Sequence, residues 1–117
     1  GPPGMPPGSA NLPCLRLSDQ LDARGWATLE NACGVSIHFA FCGLNPTQRF
    51  AYGLQPCTTA VVGSYSGIWS LMPGGRFAVG IPQSFEGWSA FACEDPLETR
   101  DVLWRDGRLQ GRCAAPF

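Results

Sequence analysis

Three observations predict an all-β fold, a small antiparallel β-sandwich or barrel stapled by three disulfides. Val35, Ile37, Phe39 and Phe41 alternate with Ser36, His38, Ala40 and Cys42, so one strand face is large and apolar and the other small or polar. The 117 residues include 15 glycines and 11 prolines, a density that favours short elements and many turns. Six cysteines, an even number, are spread along the chain.

The elements follow in order. Residues 1–11 are rich in proline and glycine, carry no core-forming pattern, and are expected to be a disordered N-terminal segment or a cloning remnant. Residues 12–117 are expected to form one disulfide-bonded β domain. Leu15 and Leu17 stand at strand spacing beside Cys14, which gives a first short strand over 12–17. Residues 18–24 are polar and turn-like, and Gly25 ends them before a second strand over 26–31. Residues 31–34 turn the chain into the alternating strand, which has a cysteine at each end. Residues 43–56 form a loop punctuated by Gly43, Asn45-Pro46, Gly53 and Pro56.

The β-branched run 58–62 reads as a strand, 63–67 as a flexible link, and 68–72 as another short strand. Pro73-Gly74-Gly75 is a turn, and Phe77, Val79 and Ile81 alternate as its expected hairpin partner. Residues 88–93 form a strand with small Ala90 and Ala92 on one face. Asp95 and Pro96 have the chemistry of a helix start, but no apolar helical stripe follows, so one turn is expected. Asp106-Gly107 between 102–105 and 108–110 is the strongest hairpin signal in the chain.

The cysteines bear on compartment and on metals. None forms a Cys-x-x-Cys pair and His38 is the only histidine, so neither a metal nor another cofactor is expected. Three disulfides are the expected outcome, and they point to secretion or the periplasm. The absence of a signal peptide then implies a mature or trimmed chain. Six cysteines allow 15 pairings. Position favours Cys42 with Cys57 across one loop, Cys14 with Cys113 joining the terminal strands, and Cys33 with Cys93.

Charge and hydropathy limit the partners. A net charge of −1 gives no general attraction to nucleic acid or to an anionic membrane. No apolar run approaches the ~20 residues of a membrane helix, so no membrane insertion is expected. A protein or carbohydrate partner is left. All eight basic residues are arginine, which a GC-rich genome explains without a function.

The order Trp26, Leu29, Asn31, Cys33, Cys42, Cys57, Pro73-Gly74-Gly75, Phe91, Ala92 and Cys93 resembles small cysteine-rich secreted bacterial domains of uncharacterised function. The resemblance spans most of 14–113 and rests on cysteines and structural residues. It implies export and a β-rich disulfide fold, and no catalytic residues.

The expected function is therefore an exported, non-enzymatic binding or interaction module. Its candidate residues are Arg49, Phe50 and Tyr52 in the loop between Cys42 and Cys57, and Tyr65 and Trp69 in a glycine- and serine-rich stretch that favours exposure. Trp26 and Trp88 are assigned to the core. One alternative is a protease-inhibitor-like domain presenting Arg49 from the closed loop. Another is a small secreted hydrolase using His38, or an acid pair drawn from Glu86, Glu94, Asp95 and Glu98. On this reading His38 has no evident partner in sequence.

Overall fold

The computed structural model describes residues 5–47, 55–58 and 69–116. Ten strands run through them: β1 (Gly8–Ala10), β2 (Leu15–Leu17), β3 (Ala27–Asn31), β4 (Ile37–Leu44), β5 (Gln55–Pro56), β6 (Trp69–Leu71), β7 (Arg76–Gly80), β8 (Gly87–Glu94), β9 (Glu98–Arg105) and β10 (Arg108–Ala114). Among the described residues there is no α-helix, and a single 3-10 turn covers Pro82–Ser84.

The strands make three open sheets. The central sheet has the order β1-β8-β4-β5, with β6 also paired to β4. A second sheet has the order β2-β3-β7, and the third is the β9–β10 hairpin. The fold is thus the expected all-β sandwich with three disulfides, and among the described residues no sheet closes into a barrel. Pairing is mostly antiparallel, but β1 runs parallel to β8 and β5 parallel to β4.

The β4–β8 ladder is the longest, joining Ile37 to Glu94 at one end and Leu44 to Gly87 at the other. Its side chains divide by parity. Ile37, Phe39 and Phe41 enter a core with Leu15, Ala27, Leu29, Val79 and Trp88, facing the β2-β3-β7 sheet. Ala40 and Cys42 enter a second core with Phe91, Cys93, Val102 and Leu109, facing the hairpin. Large side chains meet small ones across the ladder: Phe39 is opposite Ala92, Phe41 opposite Ala90, and Ala40 opposite Phe91. The small or polar face is therefore buried over much of its length. Val35 lies before the strand and is exposed.

The disulfides are Cys14–Cys33, Cys42–Cys57 and Cys93–Cys113. Cys42–Cys57 is as expected, but Cys14–Cys113 and Cys33–Cys93 do not form. The reason is local pairing. Antiparallel β2 and β3 place Leu15 opposite Asn31, and the Ala32 N–H donates to the Cys14 carbonyl at 2.8 Å, which brings Cys33 to Cys14. Cys93 and Cys113 instead tie the hairpin layer to the central sheet. Loops of 15 to 20 residues close in this way, each contributing about 3 kcal/mol in the chain-entropy model.

Other elements differ from expectation. Part of the N-terminal segment is ordered. Gly8 is the partner of Trp88 in the β1–β8 pairing, and a Cβ on Gly8 would lie 2.3 Å from the Trp88 carbonyl oxygen. The Asn11 side chain extends that edge, donating to the Ala92 carbonyl at 2.8 Å and accepting from the Ala92 N–H at 2.7 Å. The expected helical turn near Asp95 is a tight connection, in which the Leu97 N–H reaches the Glu94 carbonyl before β9 begins at Glu98. Residues 73–75 do not close a hairpin. They carry the chain from β6 in the central sheet to β7 in the second sheet. The Asp106-Gly107 hairpin forms as expected, with both residues at positive φ. The expected strand over 58–62 falls mostly, and the link over 63–67 wholly, outside the described residues.

Asn31 holds the corner between sheets. It is fully buried. Its Nδ2 donates to the carbonyls of Val35 (3.0 Å) and Leu71 (2.9 Å), and its Oδ1 accepts from the Cys33 N–H at 2.8 Å. Its backbone bonds Gly74 and Gly75, capturing the 73–75 turn. Asn31→Ala leaves two partly buried carbonyls and the buried Cys33 N–H without their partner, and should lower unfolding free energy by about 3 kcal/mol. Urea denaturation measures this; a loss below about 1 kcal/mol would remove Asn31 from this role.

Candidate binding site

Beside the aromatic edge of the second sheet lies an open groove of about 570 Å³, lined by Asp22, Arg24, Thr28, Trp69, Arg76, Phe77 and Ala78. Its first wall is the turn between β2 and β3. Asp22 Oδ1 accepts the N–H groups of Arg24 (2.8 Å) and Trp26 (3.0 Å), the bonding of an Asx turn. The Asp22 N–H donates to the Trp26 carbonyl, and Gly25 supplies the left-handed residue at φ 81°. Asp22 Oδ2 takes the Arg24 Nη2 at 2.8 Å, and the Arg24 guanidinium carbon sits 3.9 Å from the centre of the Trp26 ring. Trp26 is therefore a half-buried platform for Arg24, not a core residue; Trp88 is in the core as expected.

The second wall is aromatic. Trp69 and Phe77 meet edge to face at 4.7 Å, and both lie against Phe39, with ring centroids 6.5 and 5.4 Å away. Trp69 was expected to project outward. It is half-buried and packs against both cores, because its position in β6 is opposite Phe39 of β4.

The rim and floor are polar. Arg16, Glu30 and Arg76 align across β2, β3 and β7. Glu30 bridges the two arginines, at 3.2 Å from Arg16 and 3.4 Å from Arg76. Exposed pairs of this kind add only about 0–1 kcal/mol each. Thr28 is 4% exposed and its Oγ1 has no hydrogen-bond partner among the described residues. Leaving a buried hydroxyl unmet costs about 1–3 kcal/mol.

Comparison with family models, with curated proteins and with solved structures finds no match. The groove brings an aromatic wall, two guanidinium groups and one carboxylate together.

The remaining candidates lie elsewhere. Arg49, Phe50, Tyr52 and Tyr65 fall outside the described residues. His38 is not isolated: its Nε2 is 2.9 Å from Asp95 Oδ1, while its Nδ1 is buried without a hydrogen-bond partner among the described residues. The tight connection after β8 makes this pair, since the Asp95 N–H donates to the Ser36 carbonyl. Three of the four acids named as a possible pair go to separate partners: Glu86 to Asn45, Asp95 to His38 and Glu98 to Arg100. Among the described residues no group of three or more His, Cys, Asp or Glu is placed to hold a metal ion.

Asp22 yields a pH prediction. The Trp26 N–H, followed by the Arg24 side chain and N–H, holds its carboxyl below the ordinary 3.8. Because the folded value is depressed, the stabilisation is present above 3.8 and is lost as pH falls through the folded value. The near-ultraviolet tryptophan signal should hold from neutral pH to about 4 and change below it. Asp22→Asn, which keeps the Oδ1 acceptor, should lack that acid step. A step with a midpoint well above pH 4, or one unaltered in the variant, would contradict the assignment.

Proposed function

We propose that this domain is an exported, non-enzymatic binding module of bacterial origin, acting outside the cytoplasm on a protein or carbohydrate. The observation that carries the reading is the groove itself, where Trp69 and Phe77 stand beside Arg24 and Arg76. Aromatic residues and arginine are the side chains most often responsible for binding energy. Three disulfides support an oxidising setting. No helix among the described residues is long and apolar enough to cross a membrane.

A second reading, a protease-inhibitor-like domain, is favoured by the Cys42–Cys57 bond, because that bond closes the loop containing Arg49. A loop with fewer free conformations loses less entropy on binding. The two readings use different arginines and so can be separated. The hydrolase alternative rests on His38, whose Nε2 is turned to Asp95.

Glycan and peptide arrays probed with the parent, Arg76→Ala and Arg49→Ala distinguish them. On the groove reading, Arg76→Ala weakens the recovered ligand at least tenfold, about 1.4 kcal/mol, with its melting temperature unchanged, and Arg49→Ala binds like the parent. The reverse pattern, with inhibition of a trypsin-like protease lost in Arg49→Ala, would replace it with the inhibitor.

A further inference from the structure

We infer that the outer face of the β9–β10 hairpin holds a second binding site, a fork of two arginines that takes the sulfate ester of a carbohydrate chain. The site lies on the opposite side of the central sheet from the groove and does not rest on it. β9 and β10 carry four of the eight arginines, Arg100, Arg105, Arg108 and Arg112. Thr99 and Leu109 turn inward and are buried, so their neighbours Arg100 and Arg108 turn outward. The register sets Arg108 directly across from Arg105 and Arg112 directly across from Arg100, which makes two arginine pairs on one face.

Like charges directly opposite one another are destabilising. The two pairs are offset differently. Arg100 is bound to Glu98 at 2.8 Å and Arg112 to Asp101 at 2.5 Å. At the hairpin tip Arg105 and Arg108 are exposed, and among the described residues neither guanidinium has a hydrogen bond or an ion pair. The bare pair is what points to a ligand. Its side chains start about 5 Å apart across the ladder, on either side of the Asp106-Gly107 turn. Two guanidiniums at neighbouring positions suit one tetrahedral oxyanion with three terminal oxygens, whereas a single guanidinium already satisfies a carboxylate. Two arginines less Asp106 leave the tip with one positive charge, which matches the single charge of a sulfate ester. A phosphate monoester brings about −1.5 to −2.

The surroundings of the fork suit the sugar. Arg108 lines an open groove of about 400 Å³ between β1 and β10, together with Ser9 and Gln110. Ser9 is exposed, and its hydroxyl can donate to or accept from a ring hydroxyl. Gln110 gives its Nε2 to the Arg105 carbonyl at 2.9 Å, which holds the amide beside the fork and leaves its oxygen as an acceptor.

The test is a nuclear magnetic resonance titration of the ¹⁵N-labelled, fully disulfide-bonded protein at low salt. The probes are a chondroitin sulfate hexasaccharide, the same hexasaccharide without its sulfates (carboxylates only) and a single-stranded DNA hexamer. The sulfated chain should shift the Arg105 and Arg108 Nε–H signals together and bind at least about tenfold more tightly than either other probe. Arg105→Gln/Arg108→Gln should bind it no better than the parent binds the unsulfated chain. Arg108→Lys keeps the charge but loses the planar fork, and should bind at least about fivefold more weakly than the parent. Without ligand, the urea midpoint of the double glutamine variant should equal or exceed the parent's, because an opposed like-charge pair is removed.

Equal affinity for the unsulfated chain overturns the sulfate ester. Equal affinity for DNA overturns the carbohydrate. An Arg108→Lys protein that binds as the parent does reduces the site to diffuse surface charge and overturns the fork. A urea midpoint clearly below the parent's in the double variant shows that the two arginines hold the fold, and overturns their assignment as an unpaired fork. Shifts at Arg76 with none at the hairpin place the chain in the groove, which overturns the second site and leaves the binding module standing. No shift with any probe overturns the second site, and the array experiment on Arg76 still decides the groove.

Discussion

The β4–β8 ladder is the constraint on which the remaining structure depends. It is an eight-by-eight antiparallel pairing in which bulk on one strand meets small residues on the other. Phe39 over Ala92 and Phe41 over Ala90 leave room for the second sheet to pack from one side. Phe91 over Ala40 does the same for the hairpin on the other. A one-residue slip would send every side chain to the opposite face and ruin both cores. Two of the disulfides start on this ladder, at Cys42 and Cys93, and fasten outer elements to it. Gly8 and Gly43 flank Trp88, which stacks on Phe41 at 5.8 Å, so even the edge strand β1 is fitted to the ladder.

Alternation made this ladder legible. Val35 to Cys42 announces one strand, and the small residues at Ala90 and Ala92 announce its complement. What alternation does not say is that the second face is also covered. Ser36, His38, Ala40 and Cys42 look like a solvent face, yet Ala40 and Cys42 lie under β9 and β10. The third layer follows from Val102 and Leu109, whose burial depends on a long-range contact. The disulfide scheme missed for a related reason. Cys14 and Cys113 seem paired by their places near the ends, but strand neighbours decide, and the β2–β3 register puts Cys14 beside Cys33. Asn31 could be read as a turn former through its bond to the Cys33 N–H. Its two bonds to Val35 and Leu71 required knowing that β6 leaves the central sheet there.

The site was legible only at Trp69. Arg24 and Arg76 are separated by about half the chain, and what unites them is the β3–β7 pairing and the Asx turn at Asp22. The sequence does carry a signal for that turn, in Asp22 three residues before Gly25, but it does not reveal that Arg24 would stack on Trp26. Thr28 was invisible as a site residue, because a threonine in a strand ordinarily says only that the strand is half-buried. Likewise Asp95 finds His38 because the β8–β9 connection is tight, and 57 positions separate the two in sequence.

The two-faced central sheet should be the part of the molecule that opens last. Native-state hydrogen exchange measures that directly. The amides of Phe39, Phe41, Ala90 and Ala92 should be the slowest to exchange and should share one opening free energy equal to that of global unfolding. The outer β9–β10 hairpin and β1 should open at lower free energy. If hairpin amides prove as slow as these, or if β4 and β8 exchange by separate openings, the ladder is not what the other layers depend on.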